Sequence, residues 1–446
     1  MNSLDAGCFA TSLMPKSTIK SINVSKGVRI TDIISFDFES VTADPFWNTG
    51  YEKEPRMHKI HAYPAKFPSF IASNAFKYAQ KNFVPPKYVA DFFCGCGTVA
   101  LEAKKNNIDF WGCDINPVAT MISKVKSHKY QLGRLIKYYS SIIEKVASSD
   151  IYIDYEKANE RIKYWFDADH YSELFRLREA IQISTPKNSF YRLFFLCAFS
   201  NILKATSRWL TKSIKPQFDP SKIPSGVMES FKHQYEFMIN SIREIGSFGQ
   251  SGMKIITGNI LDPSIKKPKV DMVLSSPPYV TSYDYAGIHQ LSLLWLGYAE
   301  DYRKLRIGSI GSKHQHSDFK ENIKKLNGIG ANIVEAIMKK NKSLARDIAQ
   351  YYVDMQNVTY TSYNVLNEPG IVLFVIGNTE YKGVKIDNVR HLALSMINSG
   401  FKNIRVTKRK ISSKLITPYR DMRGRFTKDS SQRHVYNEEF ILIGMK

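Results

Sequence analysis

The chain has few acidic side chains. Its 41 Asp and Glu stand against 63 Lys and Arg, leaving a formal net charge of +22. An excess of that size favours a polyanionic partner, because lysine and arginine neutralise phosphates and release their counterions. Cysteine is scarce too. The five (Cys8, Cys94, Cys96, Cys113 and Cys197) include no CxxC pair, so the spacing of a zinc site or a disulfide framework is absent. Cys94, Cys96 and Cys113 read instead as small buried residues in one stretch. Two histidines at i, i+2, His314 and His316, do not make a metal pair, and no metal is expected. The longest tight apolar run, Leu193 to Phe199, falls far short of the ~20 residues of a membrane span. No secretory leader is read at the start, and the expected compartment is a reducing cytoplasm. Internal repeats and low-complexity tracts are absent. At 43% hydrophobic and 13% aromatic residues, the chain has the makings of a folded globule.

Chemistry is concentrated in two stretches. Val89 to Pro117 reads VADFFCGCGTVALEAKKNNIDFWGCDINP. A short apolar run meets a turn at Gly95 and Gly97, a helical run opens at Thr98, and a second strand-like run ends on Asp114. After the first strand of a doubly wound sheet, glycines let the backbone approach a ligand, and a carboxylate about 20 residues on holds ribose hydroxyls. Asp114 lies 17 residues after Gly97, and Leu101 stands near where a dinucleotide fingerprint needs its third glycine. A compact nucleoside suits this turn better than a dinucleotide. The second stretch, Lys269 to Tyr279, reads KVDMVLSSPPY. Pro277 and Pro278 remove two donors and fix φ, so a buried strand must end there. A hydroxyl (Ser276), an outward Pro277 carbonyl and the Tyr279 ring then share the carboxyl edge of a sheet, where ligands bind in open α/β folds.

At these residues the chain resembles S-adenosylmethionine-dependent DNA amino-methyltransferases, most of all the cytosine-N4-specific type of restriction-modification systems. The resemblance is carried by Asp91-Phe92-Phe93-Cys94-Gly95-Cys96-Gly97-Thr98, by Asp114, by Ser276 to Tyr279, and by the upstream block His61-Ala62-Tyr63-Pro64-Ala65-Lys66-Phe67. It implies a Rossmann-like class I methyltransferase: an α/β fold with a mostly parallel seven-stranded sheet, here with a helical insertion and a basic DNA-recognition region. It also implies S-adenosyl-L-methionine as cofactor. Tyr63, Pro64, Ala65, Lys66 and Phe67 would line its methionine end, with Asp91, Phe92, Phe93, Cys94, Gly95, Gly97, Thr98, Asp114 and Ile115 around the rest. Asn259 and Ile260 fall where the family meets adenine. An acidic residue is usual there, so Asn259 would accept through its amide oxygen, or Asp262 would serve. The implied catalytic residues are Ser276, Pro277, Pro278 and Tyr279.

An exocyclic amine is a weak nucleophile because its lone pair is delocalised into the ring. Acceptors at Ser276 Oγ and the Pro277 carbonyl would take its two N–H groups and free that lone pair, while Tyr279 offers a face for an extruded base. Carbon-5 methylation would need a cysteine nucleophile, usually after a proline, and the chain has no Pro-Cys pair. Serine at the first motif position resembles cytosine-N4 enzymes more than adenine-N6 enzymes. The alternatives are an adenine-N6 DNA enzyme, an RNA amino-methyltransferase and a catalytically silent DNA-binding subunit. The expected partners are double-stranded DNA with a flipped base and a cognate restriction endonuclease.

By domain, residues 1–50 read as an irregular arm, 51–129 as the cofactor-binding half, 130–250 as a helical insertion and 251–446 as the catalytic half. Helical periodicity marks 68–82, 132–146, 171–183, 190–212 and 227–245, and a buried strand spans 370–377. The aromatics Trp165, Phe166, Phe194, Phe195, Phe199 and Trp209 read as insertion core, and Lys204, Arg208, Lys212 and Lys215 as a basic face. DNA contacts are expected from about 301–345, read as a mobile loop, and 402–433. The latter holds eleven Lys/Arg against two acidic residues, with Lys408, Arg409, Lys410, Arg420, Arg423 and Arg425 its leading candidates.

Overall fold

The computed structural model describes residues 24–48, 54–246, 248–280, 283–311, 318–411 and 438–446, with three two-residue strands between the last two. Pro85-Pro86 end helix α1 (Ser69–Asn82) and release the chain into strand β2 (Tyr88–Asp91). Helix α2 (Thr98–Lys105) follows, then β3 (Asp109–Asp114) and α3 (Pro117–Ser127). The insertion supplies α4 (Leu132–Ala147), α5 (Glu160–Trp165), α6 (Ala168–Ser184), α7 (Phe190–Ile202) and α8 (Val227–Ile245) before the sheet resumes at β4 (Met253–Thr257) and β5 (Val270–Ser275). After β5 come α9 (Tyr285–Ile288), α10 (Gln290–Trp295), α11 (Phe319–Lys325), α12 (Gly328–Met338) and α13 (Lys342–Val365). Strand β6 (Leu366–Ile376), hairpin β7–β8 (Thr379–Tyr381, Val384–Ile386), α14 (Asn388–Asn398), β9 (Lys402–Lys410), a small sheet β10–β12 (419–420, 426–427, 433–434) and β13 (Glu438–Met445) complete the chain.

The main sheet runs β1-β9-β13-β6-β5-β2-β3-β4, where β1 is Val28–Arg29. Strands β4, β3, β2, β5 and β6 are parallel; β13 is antiparallel between β6 and β9. This is the expected Rossmann-like α/β class with eight strands rather than seven. The eighth is β1, from the arm, pairing with β9 at the edge. Two residues carry no alternation that a sequence could display. Inner strands alternate between two cores: Leu373 and Ile441 pack with Phe76 and Ala103 on one face, Phe374 and Leu442 with Ile348 and Leu392 on the other. A third core fills the insertion, and the six aromatics read as core are all buried there.

Two stretches differ from their expected form. Helix α7 stops at Ile202 rather than near Lys212, where Thr206 and Ser207 hydroxyls bond back to the carbonyls of Ile202 and Lys204. Such local bonds compete with the helix ladder. Residues 319–345, read as loop, hold α11, α12 and the first turn of α13. Asn327 caps α12 by accepting from Gly330, and Ile333, Val334 and Ile337 are buried. Lys313, His314 and His316 lie outside the described residues.

Candidate functional site

The strand order reverses between β2 and β5, and the two motifs leave the carboxyl ends of those neighbouring strands. Asp91 ends β2 and ties the edge together: its Oδ1 accepts from the Ser275 hydroxyl (2.5 Å) and the Phe93 N–H (3.1 Å). Burial pushes its carboxyl up to about 7 against those two bonds. Gly95 and Gly97 take φ of +47° and +77°, a region that favours glycine. A Cβ on Gly97 would lie 2.3 Å from Ser123 Oγ, so the turn must be bare to seat on α3.

Asp114 at the end of β3 faces this turn. Its two oxygens accept from the N–H groups of Gly95 and Asn116, each at 2.9 Å. Desolvation dominates and raises the carboxyl to about 6. Each oxygen keeps a free lone pair, so further donors such as ribose hydroxyls would find acceptors. The upstream block also arrives here: the Tyr63 ring lies 3.5 Å from where a Gly95 Cβ would stand and stacks on Tyr285 at 5.7 Å. Thr98 Oγ1, at the start of α2, is buried without a partner. A carboxylate with open lone pairs, a bare glycine turn and an orphaned hydroxyl fit a nucleoside cofactor.

Other expected cofactor residues are occupied differently. Lys66 Nζ pairs with Glu54 (2.7 Å) and the His58 carbonyl (3.3 Å). Phe92 is buried in the sheet core and Phe93 packs at its margin, while Cys94 is buried on the opposite face, which Phe67 joins. Ala65 is exposed, with φ of +50°. Asn259 accepts the Leu261 N–H at Oδ1 (2.9 Å) and donates from Nδ2 to the Gly308 carbonyl (3.1 Å). A Cβ on Gly308 would lie 3.5 Å from Ile115 Cδ1, so this amide holds residues 302–311 against the end of the site. Ile260 is buried beneath it and Asp262 is exposed.

At the second motif, Ser276 Oγ donates to the Val375 carbonyl of β6 (3.1 Å). Pro277 is buried and Pro278 half-buried. The Tyr279 ring covers Gly377, where a Cβ would lie 3.2 Å away, and its hydroxyl donates to Glu439 Oε1 on β13 (2.9 Å). Arg409 grips the other Glu439 oxygen through Nε (2.8 Å). Glu439 had no local sign in the sequence, being 160 residues from the motif it serves.

The basic candidates separate. Lys408 is buried, donates to the Glu39 carbonyl (3.0 Å) and pairs with Glu438 (3.4 Å). Arg409 is turned inward to Glu439, while Lys410 is exposed. The backbone of Arg420 lies in β10; Arg423 and Arg425 fall outside the described residues. In the insertion, Lys204 and Arg208 bond the carbonyls of Ser213 and Pro220, and Lys212 and Lys215 are exposed. Among the described residues, no cluster of three or more His, Cys, Asp or Glu could hold a metal. No helix there is long and apolar enough to cross a membrane.

Comparison with known proteins gives matches at the level of family and whole chain. A family model for DNA methylases matches residues 15–124, spanning the upstream block, the glycine turn and Asp114. The Type II methyltransferase M.MvaI of Kocuria varians is 24% identical over 357 residues, covering 74% of this chain and 78% of its own. M.BsoBI of Geobacillus stearothermophilus is 24% identical over 414 residues, covering 79% and 80%. Among solved structures, the rRNA methyltransferase aviRa of Streptomyces viridochromogenes aligns over 86% of this chain and 88% of its own, at 9% identity and a TM-score of 0.29. With the motifs in place around one sheet edge, the chain is similar to S-adenosylmethionine-dependent DNA amino-methyltransferases of restriction-modification systems.

Proposed function

We propose that this chain methylates an exocyclic amine of a base in double-stranded DNA, N4 of cytosine ahead of N6 of adenine. When bound, S-adenosylmethionine supplies a methyl group on an electron-poor sulfonium. The carrying observation is the hydrogen bond from Ser276 Oγ to the Val375 carbonyl. With its proton committed there, the hydroxyl oxygen is left to act as an acceptor. An amine N–H bonded to that oxygen loses conjugation with the ring, and its lone pair is aimed for in-line displacement. The Tyr279 ring, held from behind by Gly377 and Glu439, supports the extruded base. Asp114 orients the ribose.

The Type II methyltransferases among the relatives support modification; we read the chain as one half of a restriction pair, with a cognate endonuclease as partner and the cytoplasm as the place of action. Expression in a methylation-free bacterial host, followed by sequencing that separates N4-methylcytosine from N6-methyladenine, tests the reading. N4-methylcytosine at a recurrent motif, lost on Ser276→Ala, is expected. N6-methyladenine would keep the mechanism and overturn the base. An unmodified genome from soluble, cofactor-binding protein would sink the DNA enzyme and bring RNA forward.

A further inference from the structure

Beside the cofactor turn lies a buried donor with nothing to bond. His289 sits between α9 and α10 at 4% exposure, and its Nε2 has no hydrogen-bond partner in the protein. Its other nitrogen decides where the ring proton is. Asn116 caps α3: its Oδ1 accepts from the Val118 N–H at 3.0 Å, which fixes the amide's orientation, and its Nδ2 then lies 2.7 Å from His289 Nδ1. An amide nitrogen only donates, so Nδ1 accepts and a neutral ring carries its proton on Nε2. Burial keeps the ring neutral, with the nearby His61 reinforcing it, and pushes its pKa down to about 3.

His61 does not take this proton. Its own Nδ1 lies 2.8 Å from the Ala62 carbonyl and its Nε2 2.8 Å from Ser200 Oγ. Two aromatic rings flank it, Tyr63 at 5.2 Å and Tyr285 at 6.4 Å. Tyr63 is also the residue packed on Gly95, whose N–H holds Asp114. The orphaned N–H therefore lies beside the glycine turn, next to the ring of the upstream block that the resemblance places at the methionine end. Lys66, the cation expected at that end, is turned to Glu54. A buried donor left unmet costs folding free energy, and such costs persist where a ligand removes them.

We infer that His289 Nε2–H donates to the α-carboxylate of the methionine moiety of S-adenosylmethionine, and that Asn116 is the positioning residue that sets its tautomer. The inference rests on the cofactor reading above. A neutral donor is adequate because this carboxylate sits beside an α-ammonium, so the group enters as a dipole. The faces of Tyr63 and Tyr285 suit the ammonium half.

Calorimetry of the full chain with S-adenosylmethionine and with its decarboxylated analogue, both without DNA, tests this. His289→Phe is expected to weaken S-adenosylmethionine about tenfold or more while leaving the decarboxylated analogue unchanged. Asn116→Asp keeps the helix cap but accepts from Nδ1, which in a neutral ring moves the proton off Nε2; nitrogen-15 spectra of the variant verify that the ring is neutral. This variant should reproduce the same selective loss. Nitrogen-15 spectra of the wild type should show an Nε2–H histidine whose proton shifts on adding S-adenosylmethionine. Should His289→Phe misfold, Asn116→Asp and these spectra carry the test. Wild type that binds while the variants weaken both ligands equally or neither, or a ring protonated on Nδ1, overturns this inference alone. Wild type that binds neither ligand overturns the cofactor reading with it.

Discussion

At Ser276 the hydroxyl donates to Val375, and in the proposed reaction its lone pairs accept from the substrate amine. Ser276→Ala removes that acceptor and little volume. We expect kcat to fall by about 10²–10³, the usual loss for one preorganised polar group, with calorimetric affinity for S-adenosylmethionine unchanged. Asp114 gives a prediction of opposite character, in binding rather than rate. Its carboxyl is raised to about 6 by burial without ligand, and ribose hydroxyls would donate to its ionised form. Binding then lowers that pKa and releases a proton near pH 6, so affinity should drop as pH falls through 6 and level off above 7. For the free protein the sign reverses. The contribution of a raised carboxyl is present below about 4 and lost as pH rises through 6. Cofactor should therefore raise the melting temperature more at pH 8 than at pH 5. Calorimetry in two buffers of different ionisation enthalpy reads the released proton, and pH-independent affinity would exclude Asp114 as the ribose acceptor. Asp114 was legible in the sequence because its distance from the glycines is fixed by one βαβ turn. The bond from Asn116 to His289, spanning 173 residues, has no such ruler.

Elements were legible where a period repeats over several turns. Helix α8 falls on Val227–Ile245 and α4 runs one residue past its expected end, because apolar positions recur every three to four residues there. Strand β9 was misleading in one respect. Lys408-Arg409-Lys410 looks like a phosphate-binding run, yet β9 lies between β13 and β1, and acidic residues of β13 draw two of the three side chains inward. Sequence cannot show that Glu438 and Glu439 face Lys410 and Arg409 across a ladder. This pairing gives Arg409 a different role, holding Glu439 behind Tyr279. Arg409→Ala should cost about 3 kcal/mol of stability by denaturant unfolding, the low end for a buried pair, since 19% of the Glu439 side chain stays exposed. Affinity for non-specific duplex should hardly change. An unaltered unfolding midpoint with weakened DNA binding would restore Arg409 to the DNA face.

Over the whole molecule, a charge of +22 means little until the cations that can reach a phosphate are separated from those that hold the fold. Lys204, Arg208, Lys408 and Arg409 are bonded to carbonyls or carboxylates of the chain itself. Lys212, Lys215 and Lys410 are exposed. If the exposed cations form a continuous track, binding of a non-specific duplex follows counterion release. With about 6–10 phosphates engaged, affinity then drops about 10³–10⁵-fold between 50 and 200 mM salt. Anisotropy titrations with a fluorescent duplex measure that slope directly. Each phosphate-contacting lysine accounts for a slope of about one, so Lys410→Ala should flatten the plot by about that amount. Lys408→Ala should leave the slope alone and lower the melting temperature, because Glu438 loses its partner. The two variants remove the same charge two positions apart on one strand, so any difference between them comes from burial and pairing rather than net charge. Equal effects on the slope would mean that the excess charge acts as a diffuse field, and that no track along β9 meets the DNA.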